Sequence, residues 1–260
     1  MPEVHADTPS IARVYDYLLG GKDNFAVDRA LGDKLLEAYP PVAETVRENK
    51  TFLSRAVSWA AGQGIGQFID LGAGLPTAPS TQETALEIVP DAKVAYVDND
   101  PVAASHLKAL LAKGHPGVIV AYEDIRNVDG VLRAVGTGID LSAPACLIMG
   151  TLLHFFPPGA SQDLVARYVA ALAPGSFLIV SIGFDDAGAC GPSNPFISAY
   201  RQGGNPLHNY TWTQVEALFD GLELAGPGIT DVRAWRAGWA DLPRSARPAG
   251  GIVGAVARVP

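Results

Sequence analysis

The stretch Gln67-Phe-Ile-Asp-Leu-Gly-Ala-Gly-Leu-Pro-Thr77 decides the fold of this 260-residue chain. Its first five residues are typical of a short apolar strand, which runs directly into a turn carrying Gly72 and Gly74. Because glycine has no Cβ, such a turn can bend sharply and present its backbone amides to a ligand. A second apolar run, Val94-Ala-Tyr-Val97, ends in Asp98, where a carboxylate can accept hydrogen bonds from ribose hydroxyls. Together these features predict a nucleoside-binding α/β fold.

The position after this turn distinguishes between classes of nucleotide. The dinucleotide fingerprint Gly-x-Gly-x-x-Gly would place its third glycine where this chain has Thr77, preceded by Pro76. The third glycine allows a helix to pack closely beneath a pyrophosphate, so its absence argues against NAD or FAD. We therefore expect S-adenosylmethionine (SAM), which has a ribose and no pyrophosphate. A capping box of Ser80 and Glu83 starts the next helix late and leaves room for the methionine tail.

Composition and charge limit the classes of function. Hydrophobic residues make up 48% of the chain and charged residues 18%, as in a folded globular protein. One large α/β domain is the simpler expectation, and two small domains are the alternative. The net charge of −8 provides no long-range attraction for phosphate backbones, so we expect a small-molecule partner and no nucleic acid.

Targeting and cysteine signals are weak. The most apolar stretch, Ala143 to Phe156, is too short to span a bilayer, which needs about 20 apolar residues. The first ten residues lack the basic start and apolar segment of a secretory signal. Cys146 and Cys190 form neither a disulfide framework nor a metal motif. These features predict a cytoplasmic protein with no membrane association and no metal.

The first 65 residues have the periodicity of helices. Apolar residues predict an amphipathic helix after Ser10, which can cap it, and Gly20-Gly21 can end it. Further helices are predicted from about Val27 to Tyr39 and from about Val42 to Ala61. We expect residues 1–65 to form a helical extension that covers the cofactor site.

From residue 66 onward, apolar runs alternate with helical patterns, which predicts a parallel sheet wound on both faces. The predicted strands lie near residues 67–71, 94–98, 118–122, 145–149 and 176–182. Later come a helix near Phe196 to Arg201, a helix capped by Thr213 with Glu216, and two segments around Val232–Trp235 and Ile252–Val259 that could form a closing hairpin. The expected fold is α/β, a Rossmann-like doubly wound, mostly parallel seven-stranded sheet over residues 66–260, in one compact unit with the extension.

Ligands of such sheets bind at the carboxyl ends of the strands. The residues that leave those ends are Gly72 to Gly74, Asp98-Asn99, Asp124-Ile125, Gly150-Thr151 and Gly183 to Asp185. We expect Asp98 to bind the ribose, because Asp100 can fill the alternative role of a helix-capping carboxylate. Asp124 is expected to accept from the adenine amino group, with a solvated turn aspartate as the alternative.

The residues at these strand ends resemble those of class I SAM-dependent methyltransferases, and the resemblance covers most of the chain. Asp70-Leu-Gly-Ala-Gly74 is similar to the first motif of that superfamily, which includes Ala73. The resemblance implies that Val97-Asp98 is the acidic ribose-binding position and that Glu123-Asp124-Ile125 is the adenine-edge position.

Longer motifs resemble one bacterial S-adenosyl methyltransferase family long catalogued as a domain of unknown function. They are Ala12 to Phe25, Gly74-Leu-Pro-Thr77, Tyr96 to Pro101 and Phe219-Asp-Gly-Leu222. This resemblance implies SAM binding and supplies no acceptor. The chain departs from the family pattern where Ser80-Thr-Gln-Glu83 stands in place of Asn-x-His-Glu, which puts a cofactor contact by that histidine in doubt.

The segment Gly20 to Phe25 is richer in glycine and polar residues than a helix end requires. Our hypothesis is that it folds over the cofactor with Asn24 or Lys22 near the methionine carboxylate; a plain connector is the alternative. The predicted cofactor-binding residues are Gly21, Lys22, Asn24, Asp70, Gly72, Ala73, Gly74, Asp98, Asn99, Asp124, Ile125, Gly150 and Thr151.

No catalytic residue is identified. His154 is a weak candidate for taking a proton from the acceptor, but the apolar residues beside it favour a core histidine. Methyl transfer can proceed without a base when the reactants are aligned. Four late residues, Tyr200, His208, Tyr210 and Trp212, are candidates for the acceptor pocket or for the core.

The leading interpretation is a SAM-dependent methyltransferase acting on a small molecule that the sequence does not identify. A non-catalytic SAM or nucleoside sensor is the alternative, because the chain has no unmistakable base or metal site. An NAD-dependent oxidoreductase is disfavoured by Thr77.

Overall fold

The computed structural model describes residues 5–113, 115–185, 194–236, 248 and 250–260 of the chain. The strands are β1 (Gln67–Leu71), β2 (Lys93–Asp98), β3 (Val118–Tyr122), β4 (Cys146–Gly150), β5 (Phe177–Asp185), β6 (Glu223–Leu224), β7 (Thr230–Asp231) and β8 (Gly250–Arg258). The α-helices are α1 (Ile11–Leu19), α2 (Ala26–Ala38), α3 (Val42–Gly62), α4 (Thr81–Leu86), α5 (Pro101–Leu107), α6 (Val128–Val135), α7 (Pro158–Val169), α8 (Pro195–Gln202) and α9 (Trp212–Ala217).

The strands form one sheet in the order β3-β2-β1-β4-β5-β8-β6, and the short β7 also pairs with β8. Strands β1 to β5 pair in parallel, whereas β8 runs antiparallel to β5, β6 and β7. The strand order reverses between β1 and β4, so a crevice opens there at the carboxyl ends. The predicted Rossmann-like, mostly parallel sheet is confirmed.

Alternation along the central strands divides the interior into two cores, because successive side chains of a strand point to opposite faces. On β1, Ile69 and Leu71 pack on one face and Phe68 on the other. Neighbouring β4 repeats the division, with Met149 on the first face and Ile148 on the second. All five side chains are buried, so helices cover both faces of the sheet.

The N-terminal helices have their own apolar contacts. Val14, Leu18, Leu31 and Leu35 of α1 and α2 pack together with residues of α3 and α8. The helix bounds agree with the predicted ones to within about one residue. Ser10 lies at the N-cap of α1, but its side chain makes no capping bond and its backbone N–H donates to Asp28 instead.

Two late elements differ from the prediction. Helix α9 is capped by Thr211 with Gln214, and the predicted Glu216 accepts a hydrogen bond from the indole of Trp212 instead. Two overlapping capping patterns are present, and the chain turns into the helix at the earlier one. The predicted strand Val232–Trp235 is a turn, because the chain curls after β7 and Ala234 N–H donates to the Asp231 carbonyl.

Cys146 is a buried free thiol on β4, and Cys190 lies outside the described residues, as do positions 186–193 of the predicted Gly/Pro loop. None of the described helices combines the length and the apolar character that crossing a membrane requires.

Candidate functional site

The carboxyl ends of β1 to β4 and the helices α1 and α3 enclose a cavity of about 610 Å³. Ten of the predicted cofactor-binding residues line it: Asp70, Gly72, Ala73, Gly74, Asp98, Asn99, Asp124, Ile125, Gly150 and Thr151. A volume of this order is typical of a site for a small organic ligand.

The turn after β1 needs glycine for conformation and for space. Gly72 and Gly74 have φ angles of 66° and 67°, which side chains rarely adopt. A Cβ at Gly72 would also lie 2.7 Å from Cδ1 of Leu152. The N–H of Gly74 donates to Oδ2 of Asp98 over 2.7 Å. The turn is therefore held in place by the carboxylate at the end of the next strand.

Asp98 is buried at the tip of β2 and accepts two backbone hydrogen bonds. Its Oδ1 takes the N–H of Asp100 at 2.8 Å, and its Oδ2 takes the N–H of Gly74. Burial raises the pKa of Asp98 to about 6, although both hydrogen bonds oppose the shift. Asp100 caps α5 through Val102 and Ala103, as predicted, so the capping role does not fall to Asp98.

Asp124, after β3, is paired with a residue that the sequence analysis did not select. Arg126 forms a bidentate contact with the Asp124 carboxylate through its guanidinium and adds a backbone N–H bond of 2.9 Å. The Arg126 hydrogen bond lowers the pKa of Asp124 below its ordinary value. The predicted adenine acceptor therefore already has a partner, and Arg126 lines the same cavity.

A buried ionic network ties α1 to this edge of the sheet. Arg13 is 2% exposed, and its Nε lies 2.8 Å from Asp28 while its Nη1 lies 3.2 Å from Asp100. Its Nη2 donates to the carbonyls of His5 and Thr8. One guanidinium thus joins the N-terminal segment, α2 and the start of α5 beside the cavity.

Helix α3 brings Lys50 close to Asp70 of β1 and adds an apolar contact at the end of β4. Lys50 lies near Asp70, and burial lowers its pKa although the negative charges of Asp70 and Glu83 oppose the shift. Burial likewise raises the pKa of Asp70, whose Oδ2 accepts from Thr81 Oγ1 at 2.6 Å. Gly150 lets α3 approach closely, since a Cβ there would lie 2.7 Å from Cδ1 of Leu53.

Asn49 of the same helix bridges α1 and the end of β4. Its Nδ2 donates to the hydroxyl of Tyr15 at 3.0 Å and to Oγ1 of Thr151 at 3.4 Å. Thr151 has a φ of 46°, which is uncommon for a residue other than glycine and is a form of strain that concentrates at functional sites. Burial raises the pKa of Tyr15, so its hydroxyl keeps its proton.

The loop Gly20 to Phe25 does not supply the predicted contacts. Gly21, Lys22 and Asn24 are absent from the described wall of the cavity, whereas Asp16 of α1 forms part of it. Asn24 Nδ2 donates to Asp16 Oδ2 at 2.8 Å, and a Cβ at Gly21 would lie only 2.0 Å from Asp16 Oδ1. The loop therefore packs around Asp16, and its Phe25 ring lies against the Arg13 guanidinium, so it reaches the cavity through these two lining side chains.

Comparison with known proteins identifies the family. The profile of a family described as S-adenosyl methyltransferase matches residues 1–260. The chain belongs to this family. It is 36% identical to a candidate methyltransferase of Thermobifida fusca YX, with a TM-score of 0.87 and coverage of 98% of this chain and 97% of that chain. It is 31% identical to a DUF574-family protein of Streptomyces avermitilis MA-4680, with a TM-score of 0.85 and coverage of 98% and 99%.

A shorter similarity links the chain to one further protein. The chain is 30% identical over 118 residues to a carboxy-S-adenosyl-L-methionine synthase of Pectobacterium atrosepticum. This match covers 45% of the chain and 44% of that relative, so it spans less than half of either protein. The chain is therefore a member of a SAM-dependent methyltransferase family, and the family description specifies no acceptor.

Among the described residues, His154 is not one of those that line the cavity. Its Nδ1 accepts from the N–H of Gly183 at 3.3 Å, and burial lowers its pKa to about 4, so the ring is neutral near pH 7. The late aromatic residues are not among the described residues that line the cavity, although Tyr200 packs on the lining residue Phe155. Tyr210 is fully buried and bonded to Ser161, and Tyr200 packs against Phe155 and Phe196. His208 donates its backbone N–H to the His154 carbonyl, and Trp212 packs on Phe184.

Sequence reasoning missed Arg13, Tyr15, Asp16, Asn49, Lys50 and Arg126, all of which line the cavity. A signal was present for some of them. Arg13, Asp16 and Asn49 are buried polar residues within otherwise apolar helix faces. Such positions are costly unless the polar groups are paired or used, so each could have been singled out.

Proposed function

We propose that the cavity is the SAM site of a methyltransferase that acts on a small molecule. The observation that carries the proposal is the Gly72–Gly74 turn, which is tied to the buried carboxylate of Asp98 at the carboxyl edge of the sheet. A ligand carrying a ribose and a positive charge suits this arrangement, since the wall holds more carboxylates than cations. We propose that residues 1–65 cover this site and form one unit with residues 66–260.

Asp98, Asn99, Asp124 and Ile125 would hold the adenosine. A carboxylate has about four lone-pair positions, and Asp98 uses two of them on backbone N–H groups. The remaining positions can accept from both ribose hydroxyls. Asp124 can accept from the adenine amino group if it shares its carboxylate with Arg126, and Ile125 offers a buried apolar surface to the ring.

Lys50 and Asp70 would hold the two charged groups of the methionine moiety. The Lys50 ammonium can bind the α-carboxylate, and the Asp70 carboxylate can accept from the α-ammonium. Both residues are partly buried, and this strengthens charge pairing with a ligand. The sulfur of the methionine moiety would lie beside Gly72, Ala73 and Gly74. Gly150 and Thr151 would lie on its other side. For Gly21 and Asn24, we replace direct contact by support through Asp16, and we assign no role to Lys22.

When bound, SAM supplies an electrophilic methyl group on a sulfonium that is already a good leaving group. The contribution of this chain is then to align the acceptor and exclude water. The neutral His154 lies outside the wall, so no histidine base is assigned. The net charge of −8 and the α1 residues in the cavity wall favour a small-molecule acceptor and disfavour a nucleic acid.

The test is calorimetry of SAM binding to the wild type and to Asp98→Ala. We expect the substitution to weaken binding by about 1.5–3 kcal/mol, the scale of hydrogen bonds to a charged group. Asp91→Ala, an exposed carboxylate just before β2, is the matched control and should leave the affinity unchanged. Equal affinities of folded Asp98→Ala and wild type would remove the site assignment. Acceptor-dependent formation of S-adenosylhomocysteine separates an enzyme from a non-catalytic SAM sensor.

A further inference from the structure

One part of the cavity wall is made by residues without ionisable side chains. Three segments of the chain form it: the residues just before α1, the segment after β4 and the turn after α8. Its lining residues are Pro9, Ser10, Phe155, Phe156, Gly204 and Asn205. The charged groups of the proposed SAM site belong instead to the strand tips and to α3. The cavity therefore has a charged part and an uncharged part.

Direct contacts hold the turn after α8 against the segment that follows β4. The ring centroid of Tyr200, on α8, lies 5.9 Å from that of Phe155. The carbonyl of Tyr200 accepts from the N–H of Asn205 at 3.0 Å. Beyond the turn, the N–H of His208 donates to the carbonyl of His154 at 2.8 Å. The position of Asn205 relative to the Phe155 ring is therefore fixed on both sides of the turn.

The side-chain amide of Asn205 joins this turn to the N-terminal segment. Its Nδ2 donates to the carbonyl of Gly203 at 3.1 Å and to that of Pro9 at 3.4 Å. A carbonyl oxygen only accepts, so the NH₂ group must face these two partners. The amide oxygen, Oδ1, is the atom left over, and it has no hydrogen-bond partner among the described residues.

This oxygen differs from the other partnerless amide oxygen in the wall. Oδ1 of Asn49 is enclosed by protein, so a ligand does not reach it. Asn205 is only half-buried, and its Oδ1 is not one of the enclosed polar atoms of the described residues. Since Asn205 lines the cavity, a molecule lying on this part of the wall can donate a hydrogen bond to it.

The place and the chemistry of the uncharged part suit an acceptor. Phe155 and Phe156 closely follow Thr151, which the proposed site puts beside the sulfur of SAM. The end of β4 is three strand intervals, about 14 Å, from β3 and the proposed adenine position. Two phenyl rings offer a surface for a flat apolar molecule. A charged molecule would find no opposite charge on these residues, and burying an unpaired charge is costly.

We propose that this uncharged part of the wall is the acceptor subsite, and that Asn205 Oδ1 selects a neutral, flat apolar acceptor that carries an O–H or N–H donor. The inference rests on the proposed SAM site, which leaves this part of the cavity to the acceptor. Asn205 recognises the donor and takes no proton. The carbonyls of Gly203 and Pro9 position its amide.

Three ligands that share one ring system test the subsite on the wild-type protein saturated with S-adenosylhomocysteine. They are 2-naphthol, with a hydroxyl donor, 2-methoxynaphthalene, without a donor, and 2-naphthoate, an anion. Calorimetry should show 2-naphthol binding about five- to tenfold more tightly than 2-methoxynaphthalene, the effect of one hydrogen bond. The anion should bind more weakly than either. Equal binding of the first two ligands, or no binding of 2-naphthol, overturns the proposal.

Asn205→Ala assigns the preference to the amide. The folded variant, saturated with S-adenosylhomocysteine, should lose most of the preference for 2-naphthol over 2-methoxynaphthalene. Gln202→Ala is the matched control, because it removes an exposed amide at the end of α8 that donates to Ser198, and it should keep the preference. A preference that persists in folded Asn205→Ala overturns the role of the amide. If that variant does not fold, the three-ligand comparison on the wild type decides alone.

The two proposals fail in different ways. Wild-type protein that binds no S-adenosylhomocysteine contradicts the SAM site and the subsite together. Protein that binds S-adenosylhomocysteine but shows no preference for 2-naphthol contradicts the acceptor subsite alone.

Discussion

The two ends of the cavity are built in different ways. The end proposed for adenosine is made by turns that directly follow β1, β2 and β3, and its main contact joins Gly74 to Asp98. The opposite end is made by α1, α3 and the residues after β4, and Asn49 and Thr151 meet there across 102 positions of the chain. One end depends on neighbouring strand tips, and the other depends on helices brought over the sheet.

This difference separates what holds the nucleoside from what holds the rest of the ligand. A strand-tip turn has its conformation set by local residue types, as the positive φ angles of Gly72 and Gly74 show. A helix laid over the sheet has its position set by tertiary contacts, above all by the ionic network of Arg13. We expect substitutions at the two ends to affect different parts of the ligand.

The largest effect is expected from Arg13→Met, which removes the cation between Asp28 and Asp100. Breaking a buried ion pair leaves charges without a partner and costs about 3–5 kcal/mol of unfolding free energy. Urea denaturation measures the loss. Arg233→Met is the control, since Arg233 pairs with Asp231 at the surface with 69% of its side chain exposed and should cost less than about 1 kcal/mol. Similar losses in the two variants would contradict the anchoring role of Arg13.

The next effect separates the two ends directly. Lys50→Met should weaken S-adenosylhomocysteine about ten- to a hundredfold, because a charged hydrogen bond to the α-carboxylate is lost. The same variant should bind 5′-methylthioadenosine, which lacks the amino acid, as well as wild type does. Asp98→Ala should weaken both ligands. Lys50→Met protein that weakens both ligands alike would show that the proposed division of the cavity is wrong.

Much of the fold was predictable because its signals are local. The alternation of apolar runs gave the five parallel strands, and Asp100 with Pro101 marked the start of α5. The closing elements were less predictable. The run at Val232–Trp235 is apolar because Trp235 is fully buried, while Arg55 holds the carbonyls of both residues in a turn. An apolar pattern reports burial and does not by itself distinguish a buried turn from a strand.

The residues of the candidate site also divide into those that the sequence predicts and those that it does not. Asp98 and the glycine turn could be selected because a strand tip fixes their place, whereas Arg126 could not, since its pairing with Asp124 is a side-chain conformation. Asn49 and Lys50 lie on a long helix whose rotation over the sheet depends on packing. The glycine and polar content of Gly20–Phe25 predicts a binding loop, but the residues of this region that line the cavity lie in the helix before it.

A smaller effect is expected from pH at the adenosine end. The folded-state pKa of Asp98 is about 6, above the ordinary value, so its contribution to folding stability is present at low pH and is lost as the pH rises through about 6. Ribose binding needs the ionised form and has the opposite dependence. The affinity for 5′-methylthioadenosine should be constant above about pH 7 and fall up to tenfold between pH 6 and pH 5. Calorimetry with Asp98→Asn, which should show no such fall, is the control.

The smallest effect is expected at the loop beside α1. Asn24→Ala removes one of the hydrogen bonds to Asp16, but the N–H of Asp23 still donates to the same carboxylate oxygen at 3.0 Å. We therefore expect S-adenosylhomocysteine to weaken less than about threefold, because the lost bond acts on the ligand only through Asp16, which keeps its second partner. Lys22→Met, an exposed side chain of the same loop, should have no effect. A loss of tenfold or more in either variant would restore the direct contact to the methionine carboxylate and would extend the cofactor site from α1 into the loop that follows it.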